Sequence, residues 1–358
     1  MQIIIVLDGV AEDYKDLEET SLDLANKVAL DQFTQNSLCG LFNPIDEQLD
    51  TVKTDLVLAN LLGIRPKHWP SRSYFEALLY SHTSISASCF VRFRTQLPIE
   101  NLQELLDENE RVIVSLADKF GFRVTRRLYE RNLTSYLVWI EENEDVKAFT
   151  ILNREKQFNY KLNLFKEDVD EAVQSASVYF DEVYYGHEIE QKEVKAESSL
   201  LVNARGSLVG LFRRSGFDVL VNEGNPLDFE NTRSSIRLLR EQLKIKARNL
   251  LVVLYFKAPD WASHFGDRSL KITCIEHIDK ILLELFVAWE NDIEKLLIIS
   301  DHRTNIGSQT ASRSPSIFVL FNRDNKVTGV SSFTEKKIEK FSRVLSMHEL
   351  HELFFTNE

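Results

Sequence analysis

Apolar residues gather in short unbroken runs that end on acids. Gln2 to Leu7 (QIIIVL) is a β-branched run of the length a strand buried on both faces needs, and it stops at Asp8-Gly9. Leu38 to Phe42 is a second short run, and Thr54 to Leu62 has helical spacing up to a plausible C-cap at Gly63. Ser84 to Phe93 alternates as a strand does. Pro98 opens an amphipathic helix to about Phe120, followed by strand-like segments at Arg123 to Tyr129, Ser135 to Glu141 and Lys147 to Leu152, then a charged helix at Glu167 to Val183.

After the run HEIEQKEVKAE, read as a solvated linker, helix and strand alternate. Helices are expected at Leu208–Ser215, Phe229–Leu243 and Ser269–Trp289, and strands at 217–221, 249–256, 295–300 and 316–321. Alternation of this kind predicts an α/β core with a parallel sheet and helices on both faces, whereas grouped elements after Pro98 predict a separate small α+β unit. The expected organisation is a core from residues 1–90 and 195–358 with an inserted cap at 91–194.

Composition narrows the function. The chain has 358 residues and a net charge of -12, which disfavours nonspecific binding to nucleic acid or anionic membranes. Its three cysteines (Cys39, Cys89, Cys274) have neither metal nor disulfide spacing, as suits a reducing compartment. No apolar run reaches spanning length, and MQIIIVLDG reads as a first strand rather than a signal peptide, so a cytoplasmic protein is expected.

Three polar clusters follow apolar strands: Asp8 in VLDG, Asp260 and His264 in FKAPDWASHFGD, and Asp301-His302 in ISDH. In open α/β sheets, catalytic groups lie beyond the carboxyl ends of the strands. Asp260 and His264, four apart, share a face on a helical turn. Carboxylates with imidazoles suit Mn²⁺ or Zn²⁺, and a carboxylate-rich set also tolerates Mg²⁺. An isolated Asp after a strand is more often a turn or capping residue; three such clusters in one sheet point instead to a metal site.

The segment KAPDWASHFGDRSLKITCIEHID resembles the K-x-x-D-E-A-G-H-x-G-D…K…I-E-x-I-D segment of archaeal-type cofactor-independent phosphoglycerate mutases, members of the alkaline phosphatase superfamily. Matching positions are Lys257, Asp260, His264, Gly266, Asp267, Lys271, Glu276 and Asp279. The opening IIIVLDG, the segment TDLVLANLLGIRP, the segment SRSYFEAL, the helix-Gly-strand LVGLFRRSGFDVLV, and Phe333 with Glu335 follow in the family's order. The resemblance implies an alkaline-phosphatase-like core with an inserted cap and one or two divalent ions. It implies that Asp8, Asp301 and His302 hold one ion and Asp260 and His264 the other. Thr54 aligns with the family's serine nucleophile, and Arg72 and Lys257 align with substrate-binding positions.

Several family positions differ. D-H-S-T-P…H-S-x-x-P becomes DHRTNIGSQTASRSP, which sets Ala311 where the family has the third ligand of the Asp260/His264 ion. Tyr255 replaces a histidine before K-x-x-D, and the basic segment expected after Arg94 is missing, because RTQLP leads straight into helix. Two readings follow. One is a metal-dependent phosphoryl-transfer enzyme, phosphomutase or phosphatase, acting on a small phosphorylated molecule. The alternative is a catalytically impaired relative whose fold serves as a scaffold for a protein partner. HELHE near the C-terminus, with no third ligand nearby, reads as a helix face.

Overall fold

The structure, a computed structural model, describes residues 1–14, 18–45, 52–64, 89–96, 102–130, 133–140, 164–165, 167–169, 171–172, 177–185, 198–222, 225–243, 250–289, 291–325, 327–340 and 343–356. Arg72, the expected strand at 147–152 and the first part of the strand expected from Ser84 lie outside these residues.

The strands, in chain order, begin with β1 (Gln2–Leu7), β2 (Leu38–Phe42), β3 (Cys89–Gln96), β4 (Arg123–Glu130) and β5 (Leu133–Ile140). They continue with β6 (Ser177–Tyr185), β7 (Ser198–Ala204), β8 (Asp218–Val221), β9 (Leu250–Phe256) and β10 (Lys295–Ile299). The last are β11 (Arg303–Asn305), β12 (Thr310–Ser312), β13 (Ser316–Asn322) and β14 (Val344–Leu345). An eight-stranded sheet runs in the order β14-β2-β13-β10-β1-β9-β7-β8, and a four-stranded sheet in the order β4-β5-β3-β6.

By internal contacts the chain forms two compact units: Met1–Arg65, Gln191–Arg205 and Leu211–Glu358 make one, Pro66–Glu190 with Gly206–Gly210 the other. The pattern of elements had suggested divisions near 90 and 194. The second unit holds the four-stranded antiparallel sheet and the helix Leu102–Phe120. Phe122 packs edge-on against Phe165 at 5.4 Å, with both rings buried.

In the first unit, β1 lies between β9 and β10 and runs parallel to both. β1, β9 and β10 are buried along almost their whole length and are lined mainly by apolar side chains, while the buried Lys295 donates to the Phe354 and Thr356 carbonyls. The helix Arg268–Trp289 contributes Ile275, Ile278, Leu282, Leu285 and Trp289 to this core at helical spacing, each stabilising by about 1.5–3 kcal/mol if fully buried.

The central sheet is mostly parallel, with one departure from expectation. The strand at 316–321 is β13, and it runs antiparallel to both β10 and β2. The chain returns from β10 through a short hairpin of β11 and β12 rather than a helical crossover, and a short connection can only reverse direction. Two further expectations fail. Residues 177–185 (SVYFDEVYY) form β6 against β3 instead of continuing a helix to Val183, because their aromatic and β-branched content suits an extended strand. β7 went unrecognised beside the charged linker, although it pairs parallel with β9 and β8.

The family-like segment also builds scaffold. Lys27, at the start of the helix Val28–Gln35, makes no side-chain cap. Asp279 caps that helix from outside: its two oxygens accept hydrogen bonds from Ala29 N at 3.1 Å and Leu30 N at 2.9 Å. Glu276 likewise accepts from Asn26 N at 3.0 Å. Replacing Asp279 with Ala leaves two donors at a buried helix start unpaired, so urea denaturation should show a loss of about 1–2 kcal/mol. Asp279→Asn should recover part of it. A loss below about 0.5 kcal/mol in Asp279→Ala would mean that water caps the helix equally well.

Candidate metal centre

Register fixes the site. Val6 pairs with Ile299 on one side and Tyr255 on the other, and Leu7 with Phe256. Counting on from those pairs sets Asp8 level with Lys257 and Asp301. All the chemistry therefore collects at one edge of the sheet, where parallel strands leave carbonyl ends and loops free. Asp8, Asp260, Asp301 and His302 are all buried there.

The turn after β1 depends on Gly9, at φ +55. Its N–H donates to Asp301 Oδ1 at 3.1 Å. A Cβ built on Gly9 would come within 2.4 Å of Thr304 Oγ1 and 2.6 Å of Asp260 Oδ1. Both the backbone angle and the space require glycine.

Asp8 sits at the centre. Its Oδ2 accepts from the Tyr255 hydroxyl in a short hydrogen bond and from Lys257 Nζ at 2.9 Å. Its Oδ1 lies 3.1 Å from His302 Nε2, and Asp301 Oδ2 lies 3.5 Å from the same nitrogen. Neither Asp8 Oδ1 nor Asp301 Oδ2 has a hydrogen-bond partner of acceptable geometry, although both are buried.

Asp260 belongs to the helix Ala258–His264, which starts directly after β9 with Pro259 in its first turn. Its Oδ1 accepts from Thr304 Oγ1 at 2.8 Å, and its Oδ2 meets Lys257 Nζ at 2.5 Å and His264 Nε2 at 3.3 Å. Thr304 Oγ1 also lies 3.0 Å from His302 Nδ1, which ties the two halves of the cluster. His264 Nδ1 is 2.7 Å from the Gln309 carbonyl oxygen. That contact puts a proton on Nδ1, and the hydrogen bond to ionised Asp260, the main cause of a raised His264 pKa, favours a second proton on Nε2 donated to the carboxylate.

Among the described residues, ligand atoms of Asp8, Asp260 and His302 lie within 4.8 Å of one another. The structure thus links Asp260 to the Asp8–His302 pair more closely than a division of the ligands into two separate sets would suggest. Asp301 adjoins them through His302, and His264 reaches them through Asp260 from a more exposed position. Ala311 lies on exposed β12, paired with Thr304.

Thr54 is the first residue of the helix Thr54–Leu61 and is buried. The capping position is Lys53, which makes no side-chain cap, so Thr54 is not the N-cap. Its side chain lies near enough to the Asp301 carboxyl to counter, in small part, the upward push of burial on that group. His351 of HELHE engages the Leu61 carbonyl at 2.7 Å, a scaffold contact at the other end of that helix.

Tyr255, noted in the sequence only as a departure from a histidine, holds one oxygen of Asp8.

The protonation balance marks a site short of positive charge. Burial, then the neighbouring Asp8, push the Asp301 carboxyl up to about 7. Burial alone would lower His302, yet Asp301 and Asp8 raise it to about 9. Burial also works against ionised Asp8 and Asp260, but Lys257 and the imidazoles outweigh it and hold both below the usual carboxylate range. Two orphaned carboxylate oxygens beside an imidazole, with the Asp301 and His302 pKa values raised for want of a cation, fit a divalent ion held by oxygen and nitrogen donors.

Residues 1–348 match the metalloenzyme superfamily. The chain belongs to that superfamily. Among curated relatives, the 2,3-bisphosphoglycerate-independent phosphoglycerate mutase of Methanococcus vannielii is 22% identical over 93% of this chain and 91% of that one. The corresponding protein of Pyrobaculum arsenaticum is 24% identical over 88% of each. That of Methanosarcina mazei reaches 30%, over only 40% of this chain and 36% of its own length. The fold matches the PH0037 protein of Pyrococcus horikoshii with a TM-score of 0.69 at 18% identity, covering 99% of this chain and 96% of that one. It also matches the cofactor-independent phosphoglycerate mutase of Thermoplasma acidophilum, with a TM-score of 0.57 at 16% identity and 98% coverage of both. This superfamily member is a divergent relative of the archaeal mutases. No helix among its described residues is long and apolar enough to cross a membrane.

Asp301 and His302 both have folded-state pKa values above their ordinary ones. Each therefore favours the metal-free fold while protonated, and that stability drains away as pH rises toward about 7 for Asp301 and about 9 for His302. A metal competes for the same positions and gains as protons leave. Between pH 6 and 8.5 the melting temperature in EDTA should fall, while the increment from added Mn²⁺ should grow. An increment that shrinks with pH would place the ion away from these residues.

Proposed function

We propose that the protein is a metal-dependent phosphoryl-transfer enzyme in which the Thr54 hydroxyl accepts the phosphoryl group from a small phosphorylated molecule. The observation that carries this reading is the place of Thr54, buried at the first position of a helix and near Asp301 of the acid–imidazole cluster. Membership in a metalloenzyme superfamily and relatives named as phosphoglycerate mutases support the reaction class.

Asp8, Asp301 and His302 would hold the ion, with Asp260 adjoining. A divalent ion there supplies positive charge opposite the phosphoryl oxygens and eases loss of the hydroxyl proton. The chain supplies the rest. Asp301 orients Thr54 Oγ1 and takes its proton as the new oxygen–phosphorus bond forms. The bond from phosphorus to the substrate oxygen breaks, and that oxygen leaves with a proton from solvent. The N-terminus of the helix Thr54–Leu61 favours the incoming dianion. A second acceptor, water or a hydroxyl group, then takes the phosphoryl group from Thr54. Transfer to water would make the protein a phosphatase, and the missing basic segment after Arg94 favours that outcome over a mutase, which must grip a re-orienting anion.

Hydrolysis of an aryl phosphate, assayed with Mn²⁺, tests this. Thr54→Ser should retain turnover. Thr54→Val, with similar shape but no hydroxyl, should lose roughly 10³-fold or more while still binding the ion. Parent-like turnover in Thr54→Val would assign the attack to water. No turnover in the parent with any divalent metal would favour the impaired-relative reading.

A further inference from the structure

We infer that the Lys257 ammonium is a built-in second cation, so that the centre holds one divalent ion where its ligand set would otherwise ask for two. The inference rests on the phosphoryl-transfer reading and reassigns Lys257 from substrate binding to the centre itself.

Four observations carry it. First, Lys257 Nζ bridges Asp8 Oδ2 at 2.9 Å and Asp260 Oδ2 at 2.5 Å, with both carboxylates buried. A single positive charge between two buried anions does what a shared metal does electrostatically. Second, the unmet demand is one-sided. Both Asp260 oxygens are engaged by Thr304, Lys257 and His264, whereas Asp8 Oδ1 and Asp301 Oδ2 have no hydrogen-bond partner. The orphaned oxygens flank His302 Nε2 and mark one ion position. Third, Asp8 is divided between the two cations. Its Oδ2 faces Tyr255 and Lys257, and its Oδ1 faces His302. Fourth, the Asp260–His264 pair has no third imidazole or carboxylate from the hairpin. Ala311 is exposed on β12, and the nearest hairpin contact to His264 is the Gln309 carbonyl on Nδ1, the ring atom that faces away from Asp260. Two protein ligands hold an ion poorly, and a tethered ammonium faces no such entropic cost.

The arrangement also gives the lysine a reason to come from residue 257. Leu7 pairs with Phe256, so residue 257 is the first past β9 and the one level with Asp8. Asp260 then follows one helical turn later and presents its carboxylate back toward the same point.

Metal binding tests the inference without any assay of turnover. The parent, stripped with chelator and titrated with Mn²⁺ by calorimetry, should take one ion per chain, and its Mn²⁺ electron paramagnetic resonance spectrum should be that of an isolated ion. Lys257→Met keeps the aliphatic stem but leaves Asp260 without its ammonium, so it should take up a second ion at millimolar Mn²⁺ and develop the signature of two coupled ions. Lys257→Arg keeps the charge and should stay at one. Two ions in the parent, or an exchange-coupled spectrum, would overturn the inference while leaving the phosphoryl-transfer reading intact. A Lys257→Met chain that is folded by circular dichroism yet saturates at one ion would overturn it as well. If that variant does not fold, the parent spectrum still decides. A parent that binds no ion would overturn both readings.

Discussion

Three aspartates buried at one edge of an apolar sheet set the terms for everything around them. Asp8, Asp260 and Asp301 are almost fully removed from water, and no buried carboxylate stays ionised without cations or donors close by. The chain answers with Lys257, two imidazoles, the Gly9 amide, and the hydroxyls of Tyr255 and Thr304. Even so, two oxygens remain unmet, and the pKa values of Asp301 and His302 are pushed up. A strand order that sets β1 between β9 and β10 makes this crowding unavoidable, since each of the three strands ends in polar residues at the same level. The parallel sheet is thus what makes the site possible, because antiparallel neighbours would send those ends to opposite edges.

Much of this was legible in the chain. Fully apolar runs ending at Asp8 and Asp301 announced buried parallel strands and their carboxyl-end chemistry, because strands buried on both faces tolerate no polar interruption. The i, i+4 spacing of Asp260 and His264 put them on one helical face, and the structure sets them 3.3 Å apart. What escaped depended on partners distant in sequence. Nothing local reveals that Lys257 spans two carboxylates, one of them 249 residues away, or that Tyr255 reaches Asp8. The direction of β13 depends on how the β11–β12 hairpin closes, and β6 on pairing with β3 more than 80 residues earlier in the chain. Periodicity reports which face is buried and is silent about which strand lies alongside.

A second buried network adjoins the centre without holding an ion. Lys271 Nζ donates to the carbonyls of Gly9 at 3.0 Å and Thr304 at 3.2 Å and pairs with Glu12 Oε1 at 3.1 Å. Glu12 in turn accepts from Ser21, and its own N–H donates to Glu335, which also takes the Thr20 hydroxyl. Lys271 thereby clamps the turn after β1 to the start of the hairpin. Those two backbone pieces carry Gly9, which orients Asp301, and Thr304, which orients Asp260 and His302. The lysine acts on the centre through backbone position, with a lesser electrostatic coupling to Asp260.

This division explains how a site can diverge while its frame persists. Removing Lys271 would strand the buried carboxylate of Glu12, and breaking such a pair costs roughly 3–5 kcal/mol, a large share of the stability of an ordinary domain. Asp279 and Glu276 cap backbone donors, and their loss would likewise fall on the fold. Ala311 stands exposed on a two-strand hairpin, where a change of side chain leaves the packing untouched. Physical constraint is therefore uneven along the family-like segments. Positions that double as scaffold are held by stability whatever the chemistry, while a ligand on an exposed hairpin is held only by the ion it binds. An exposed position such as Ala311 can therefore vary with no cost to the fold.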